Sequence, residues 1–337
     1  MNKLAWLSLV SVLALPACGS SSDGGNGTTS SEASGSSKGD TSTTGATEGT
    51  GGNSGTAGTG GGATGGGTST GGNDAGDAVT IVMDEFTVAP GAEVYKCQNF
   101  ANPFGGDGNV GTFESHMTAG SHHLLLFYKA GATDDALEDC SGLEFAATPY
   151  STQQPDDSLT LPDGVAALIP SSYGVRLQAH YLNTSAAPVQ AQVKVTFHTR
   201  KPEDVTAYSG VLFVIEPKIN IPAHSTGDVK HDCSLPMDMN LIKASSHMHK
   251  HGTHFTSTIA GETIVDTDQW SDPKPVLYDP VKPVKSGDAL SFTCSYNNDG
   301  DVPLTFGESA QTNEMCIFVS AFYPVTSPSQ VTVDCQK

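Results

Sequence analysis

The sequence predicts an all-β protein with two consecutive antiparallel β-sandwich domains of jelly-roll-like type, preceded by a disordered Gly/Ser/Thr-rich linker. From residue 78 onward, short runs of β-branched and aromatic residues recur, and clusters of Gly, Pro, Asp and Asn bound them. No stretch keeps a helical period over three turns. The predicted strands cover residues 79–83, 123–128, 175–181, 193–197, 210–215, 290–296 and 316–323.

Residues 1–18 have the pattern of a bacterial lipoprotein signal peptide. Lys3 precedes an apolar run over residues 4–15, which is too short to span a bilayer permanently. Leu15-Pro16-Ala17-Cys18 is similar to a lipobox, which would leave Cys18 as the lipidated first residue of the mature chain. An ordinary secretory peptide with an accidental cysteine is the alternative. We expect an exported chain anchored to the cell envelope by lipid, at the outer membrane because Gly19 is not an acidic retention signal.

Residues 19–77 are predicted to be a disordered tether, because a Gly, Ser and Thr segment cannot bury enough apolar surface to offset its ordering entropy. Gly-rich scaling gives it a reach of roughly 40 Å. The polar, proline-containing stretch 199–204 lies near the middle of the remaining chain. It divides that chain into two predicted domains, 78–201 and 205–337, each of usual domain size.

Charge and cysteine content narrow the classes of function. The formal net charge of −20 argues against a nucleic-acid partner. Six cysteines remain after Cys18, and their spacings contain no C-x-x-C pair. An even number in an exported chain favours three disulfides over a metal cage, although the spacing does not determine the pairing.

The first histidine-rich segment is His122-His123, at the start of a predicted apolar strand. Adjacent side chains on a regular strand point to opposite faces, so this pair can share one ion only where the strand bends or begins. The nearby Gly120 permits such a bend.

The second segment runs from Ser246 to His254. If it is a strand, His247, His249 and His251 lie on one face, which is a natural arrangement for chelating a metal.

Three further residues gain meaning only beside these segments. His180 shares a strand face with Gln178, and a lone histidine there is more often structural than a ligand. Met315 precedes a strand and is ordinarily core filler. As a third ligand beside two imidazoles, its thioether would favour copper, because sulfur stabilises Cu(I).

Taken in chain order, four motifs resemble the copper type II, ascorbate-dependent monooxygenases, a family that includes peptidylglycine α-hydroxylating monooxygenase and dopamine β-monooxygenase. The resemblance covers essentially the whole folded part. The motifs are His122-His123-Leu-Leu-Leu-Phe, Gln178-Ala179-His180-Tyr181, His247-x-His249 and Glu314-Met315-Cys316.

The resemblance implies two copper ions per chain. It assigns an electron-storing copper to His122, His123 and His180, and an oxygen-activating copper, the catalytic site, to His247, His249 and Met315. Gln178, which lies beside the ligand His180, becomes a candidate residue of the cofactor site that orients the path of the electron between the two copper ions. The implied disulfides are Cys97 with Cys140, Cys233 with Cys335, and Cys294 with Cys316.

The resemblance also implies a monooxygenase that hydroxylates a C–H bond of a small organic substrate, using O₂ and an electron donor such as ascorbate. The peptide-amidating members hold a peptide carboxylate with an arginine and polar residues where this chain has Ser245 and Ile317-Phe318-Val319, so a C-terminal glycine peptide is a poor substrate. We expect a monomer that meets the membrane only through its lipid.

Two other functions remain open at this stage: a non-catalytic copper-binding surface lipoprotein and a surface adhesion module. His251 and His254 have no assigned role and are interpreted as a histidine-rich surface stretch. The remaining histidines are expected to be structural or solvent-exposed: His116, His198, His224 and His231.

Overall fold

The computed structural model describes residues 77–144, 146–325 and 332–335. The predictions for the signal peptide, for lipidation at Cys18 and for all but the last residue of the tether lie outside these residues. Within the described part, no helix has the length and apolar character needed to cross a membrane.

Thirteen strands precede Ser209 in the part of the chain that the structure describes. They are β1 (Ala78–Val82), β2 (Phe86–Val88), β3 (Glu93–Phe100), β4 (Gly108–Met117), β5 (Ser121–Ala130), β6 (Glu138–Asp139), β7 (Tyr150–Thr152), β8 (Asp156–Thr160), β9 (Val165–Ile169), β10 (Tyr173–Leu182), β11 (Val189–Ala191), β12 (Val193–Thr199) and β13 (Ala207–Tyr208). A single 3₁₀ turn, Pro202–Asp204, interrupts them between β12 and β13.

Eleven strands follow Ser209 in the described residues. They are β14 (Gly210–Ile215), β15 (Asn220–Ile221), β16 (Ser225–Ser234), β17 (Met239–His247), β18 (Gly252–Ile259), β19 (Glu262–Thr267), β20 (Val276–Val284), β21 (Ala289–Asn298), β22 (Leu304–Thr305), β23 (Ile317–Tyr323) and β24 (Thr332–Val333). The all-β prediction is confirmed, and each predicted run falls on a strand.

The sheets do not mix the two groups of strands. The first group forms sheets ordered β1-β12-β4-β9-β13, with β8 beside β4, then β6-β3-β10-β5-β7, and β11-β2. The second group forms sheets ordered β20-β17-β23-β14-β24, β15-β22 and β16-β21-β18-β19. Because β13 still pairs with β9, the change of sheet occurs at Ser209, a few residues after the polar stretch.

Buried apolar residues form two clusters that follow the same grouping. One contains residues 81–197 together with Ile242, and the other contains residues 212–335. Large aromatic side chains fill both, for example Phe113 and Phe197 in the first and Phe255 and Phe292 in the second. Where one face of a strand meets a core, every second side chain along that strand is buried. This explains why apolar residues recur along the strand runs of the sequence.

Three disulfides join Cys97 to Cys140, Cys233 to Cys335 and Cys294 to Cys316. These are the pairs that the resemblance implies. Each lies within one of the two strand groups, so no disulfide among the described residues connects them.

Candidate metal centre

The first three histidines meet where β5 and β10 pair at a β-bulge. His180 is opposite His123, but Tyr181 is opposite Ser121, so His122 is the extra residue. A bulge re-aims side chains and is common beside functional sites. Ring centroids are 5.3 Å apart for His122 and His123 and 4.9 Å apart for His123 and His180. The bend that the sequence argument requires is therefore present.

Glu93 and Tyr95, on β3, fix the ring of His180. Nε2 of His180 donates to the Glu93 carboxylate at 2.9 Å, and the Tyr95 ring stacks on the imidazole with centroids 3.9 Å apart. Burial alone would raise the pKa of Glu93, but hydrogen bonds from His180, Ser309 and Ala310 lower it to about 2. Because Nε2 of His180 donates to the ionised carboxylate, Nδ1 of His180 carries no proton and accepts from Nε2 of His123 at 3.3 Å.

The second group of histidines lies at a strand end. β17 stops at His247, so the expected strand through His249 and His251 is wrong. The reason is Glu314, whose carboxylate accepts the backbone N–H of His249 at 3.0 Å and of His251 at 2.8 Å. A turn closed by the Gly252 N–H on the His249 carbonyl follows. These backbone groups are thus satisfied without a sheet partner.

Hydrogen bonds select the same tautomer for both residues of the His-x-His motif. Nδ1 of His247 contacts the side-chain oxygen of Gln153 at 2.6 Å, and Nδ1 of His249 contacts the carbonyl of Asn313 at 3.1 Å. An oxygen that can only accept requires the proton on Nδ1, which leaves Nε2 with its lone pair. Both rings are therefore oriented to offer Nε2 as a ligand.

Met315 lies between the loop that carries Glu314 and the start of β23. Its side chain is buried, and it lines the same cavity as His123 and His247. The hydroxyl of Tyr296 donates to its carbonyl at 2.8 Å. The next residue, Cys316, is tied to Cys294 by a disulfide. The backbone at Met315 is thus held from two sides.

The two predicted ligand sets meet in one cluster. Ring centroids are 5.0 Å apart for His122 and His247, 5.7 Å for His122 and His249, and 5.3 Å for His123 and His247. One nitrogen each from His122, His247 and His249 lie within 4.8 Å of one another, the spacing of a potential metal site. The structure therefore brings all five predicted histidines together, and its tightest trio draws on both sets.

Burial keeps these imidazoles neutral. Desolvation, reinforced by the neighbouring histidines, lowers the pKa of His122, His123 and His247 well below the usual value. Burial also lowers the pKa of His180, and that of His249 to about 4. Neutral imidazole is the form that binds a metal.

The residues fit copper. Nε2 of His122, Nδ1 of His123 and Nε2 of His249 are buried without a hydrogen-bond partner among the described residues, which is unusual for polar atoms in a core. Coordination to copper would satisfy nitrogens of this kind. Imidazole nitrogens beside a thioether form a donor set that suits copper in both oxidation states.

Gln178 is fully buried on the same strand as His180. Its amide nitrogen donates to the Ser141 carbonyl at 2.9 Å, and its amide oxygen has no partner among the described residues. It lies opposite Cys97 in the sheet, beside the first disulfide. Its predicted role at the cofactor site stays a prediction.

The remaining histidines lie outside the cluster. His251 is 3.7 Å from Asp299, and His254 is 2.7 Å from Asp266. Two others, His116 and His224, pair with surface aspartates. His231 is buried and contacts Glu216 at 3.0 Å, and His198 is half-buried near Glu114.

Sequence reasoning missed the groups that orient the ligands: Glu93, Gln153, Asn313 and Glu314. Glu314 stood inside a quoted motif, yet only the fold shows that its carboxylate caps the His-x-His turn. Asn313 directly precedes that motif, whereas Glu93 and Gln153 come from distant parts of the chain, and nothing in the local sequence marks these three as orienting groups.

The fold and site define a disulfide-bonded all-β protein with a buried histidine cluster that could hold a metal ion. Residues 207–336 match the family described as copper type II ascorbate-dependent monooxygenase, C-terminal domain. That stretch is less than half of the chain, and within it the match agrees with the family that the motifs predict.

Other comparisons add little. No curated protein matches the chain. Among solved structures, it is similar to a recombinant peptide N-glycanase F, with 11% identity, 76% of this chain and 98% of that chain covered, and a TM-score of 0.33. It is also similar to the major capsid protein P2 of bacteriophage PM2, with 8% identity, 74% of this chain and 98% of that chain covered, and a TM-score of 0.27. TM-scores this low carry no argument about fold or function.

Proposed function

We propose that this protein is a copper-dependent monooxygenase that hydroxylates a C–H bond of a small organic substrate, using O₂ and a one-electron donor such as ascorbate. The observation that carries the proposal is the buried cluster of five histidines, which opens beside Met315 onto a cavity of about 560 Å³. Bound copper would supply one-electron transfer at two sites and oxygen activation at one of them.

In this proposal His122, His123 and His180 hold the electron-storing copper. They lie on two hydrogen-bonded strands, and Glu93 and Tyr95 restrain His180 further. A ligand set held this rigidly changes little when the metal changes oxidation state. Such a site suits storage of an electron rather than binding of a substrate.

His247, His249 and Met315 are assigned to the catalytic copper. His247 and Met315 line the cavity, so a substrate there would lie next to this site. Gln153 holds His247 through Nδ1, and its own amide nitrogen donates to the Ser246 carbonyl at 2.6 Å. The walls of the cavity exclude water from the reacting carbon and position it, which is the protein's main contribution.

The proposal includes further expectations for the whole protein. It folds as two β-sandwich domains, 78–201 and 205–337, supported by the separate sheets and cores except at β13, which pairs with β9 of the first group. It works as a monomer, exported and anchored through lipid on Cys18, with the tether holding the enzyme away from the membrane.

A non-catalytic copper-binding lipoprotein would use the same ligands but would not need a substrate cavity. The cavity beside His247 and Met315 therefore favours the enzyme. Copper bound by a protein that oxidises nothing would favour the alternative.

The test uses the purified full chain loaded with copper. Ascorbate is added as the reductant, and an organic extract of the producing cells is added as a source of substrates. Parallel reactions under ¹⁶O₂ and ¹⁸O₂ are compared by mass spectrometry. We expect at least one compound to gain a single labelled oxygen with the wild type and with the control His254→Gln. With Met315→Ala, no compound should gain the labelled oxygen. If no compound gains the label with any protein, the monooxygenase proposal fails.

A further inference from the structure

The floor of the cavity is built by three neighbouring strands in register. On β14 and β23, Phe213 lies opposite Val319 and Ile215 lies opposite Ile317. On the other side of β23, His247 lies opposite Ile317. Because side chains alternate between faces, these residues share one face, and all of them line the cavity. An apolar surface thus runs directly from the His247 end of the site.

The opposite wall of the cavity, formed by β5, is also apolar. Leu125 and Phe127, two residues apart on β5, line the cavity on the side of His123. The volume of about 560 Å³ is that of a site for a small organic molecule rather than for a peptide segment.

Two of the charged side chains in the wall are paired with opposite charges, and a third, Asp334, accepts the Cys335 N–H at 2.7 Å. Lys243, the only lysine or arginine among the described lining residues, pairs with Asp157 at 2.9 Å. The carboxylate of Glu144 accepts from Arg176 at 2.9 Å. Gln153 is occupied by the bonds described above. An anionic substrate would therefore lose its hydration without gaining an ion-pair partner, which is costly in a buried site.

We propose that this cavity takes a neutral, predominantly apolar organic molecule, with the C–H bond to be hydroxylated at the end formed by His247 and Met315. This inference rests on the proposed function for the identity of the reaction, but not for the binding preference. Substrates that carry a carboxylate or another anionic group are excluded by the same walls.

The test compares two fluorescent probes with the same aromatic rings: N-phenyl-1-naphthylamine, which is neutral, and 1-anilinonaphthalene-8-sulfonate, which carries a sulfonate. Both are titrated into the copper-loaded full chain. We expect the neutral probe to bind at one site per chain, with a dissociation constant at least tenfold lower than that of the anionic probe. Equal affinity, or preference for the sulfonate, would overturn the proposal.

Two substitutions locate the binding. Val319→Asp introduces a charge into the apolar floor and should weaken the neutral probe at least tenfold, while Val319→Thr, of similar shape, should weaken it less. The matched control is Val302→Asp, at a residue that is 66% exposed and outside the cavity. If the Val319→Asp and Val302→Asp variants bind the neutral probe with equal affinity, the probe binds outside this cavity and the proposal is wrong.

A third substitution is expected to reverse the preference for the neutral probe. Ser245 lies opposite Val319 and lines the cavity. Ser245→Arg would supply the missing unpaired cation, so its preference should shift at least tenfold toward the anionic probe. No shift in a folded variant would contradict the electrostatic argument.

Copper content is measured on the same samples, so that two failures can be told apart. A chain that binds copper but not the neutral probe would overturn the substrate class alone. A chain that binds the neutral probe in this cavity but no copper would overturn the proposed function and leave the apolar site intact.

Discussion

The two halves of the metal centre are built differently. His122, His123 and His180 come from paired strands, and the bulge between β5 and β10 is their only irregularity. His249 and Met315 lie outside strands, in segments that Glu314 and a disulfide hold in place. Ligands on strands are fixed by the sheet, whereas ligands on loops depend on a few specific contacts. The first site should therefore tolerate changes around it better than the second.

The largest expected effect is at Met315. Met315→Ala removes the thioether from the more loosely built site, and we expect its copper affinity to fall at least about a hundredfold, at the upper end of losses for changes near a metal. Titration with Cu(I) measures it. The first site should keep its affinity, and His251→Ala, outside the cluster, should match the wild type. An equal loss at both sites would mean that they are not separate.

The disulfide beside Met315 comes next. Replacing both Cys294 and Cys316 with Ser removes a crosslink that closes a loop with a sequence separation of 22. We expect a loss of about 3 kcal/mol in the free energy of unfolding, measured by denaturant titration. Replacing Cys97 and Cys140, with a separation of 43, should cost as much in stability. Only the first pair should weaken copper at the Met315 site, and the opposite pattern would refute this comparison.

Glu93 provides the corresponding test of the first site. Glu93→Gln keeps an acceptor for His180 but removes its charge, so we expect copper affinity at this site to fall by about tenfold, and Glu93→Ala by up to about a hundredfold. The copper EPR spectrum of the first site should change as well. Glu114→Gln, at an exposed position, is the control. An unchanged spectrum in Glu93→Ala would show that Glu93 does not position His180.

The smallest effect concerns pH. Burial lowers the pKa of His249 to about 4, whereas an unfolded histidine titrates near 6.5. Between these values the unfolded chain binds more protons than the folded one, so the copper-free protein should lose stability as the pH falls from 6.5 toward 4. Thermal unfolding measures the slope. His249→Gln should reduce the slope, the rest of which comes from the other buried histidines, and His224→Asn should leave it unchanged. An equal slope in both variants would contradict the assignment.

The local pattern of the sequence predicted seven runs that fall on strands, and the family resemblance identified the clustered histidines. It could place His122 and His123 at a bend because strand alternation leaves no other way for them to meet. It failed at His249, where a carboxylate 65 residues away replaces a sheet partner. Contacts of this kind, like that between Glu93 and His180 across 87 residues, depend on tertiary packing and leave no periodic signal.

The close approach of His122, His247 and His249 makes copper stoichiometry the most direct test of the account. Copper per chain is measured in the wild type, in His123→Ala and in His249→Ala. Two separate sites predict two copper ions in the wild type and one in each variant, with different EPR spectra for the copper that remains. One copper ion in the wild type, retained in His123→Ala and lost in His249→Ala, would instead mean a single site shared by the close trio, and would contradict the two-copper account.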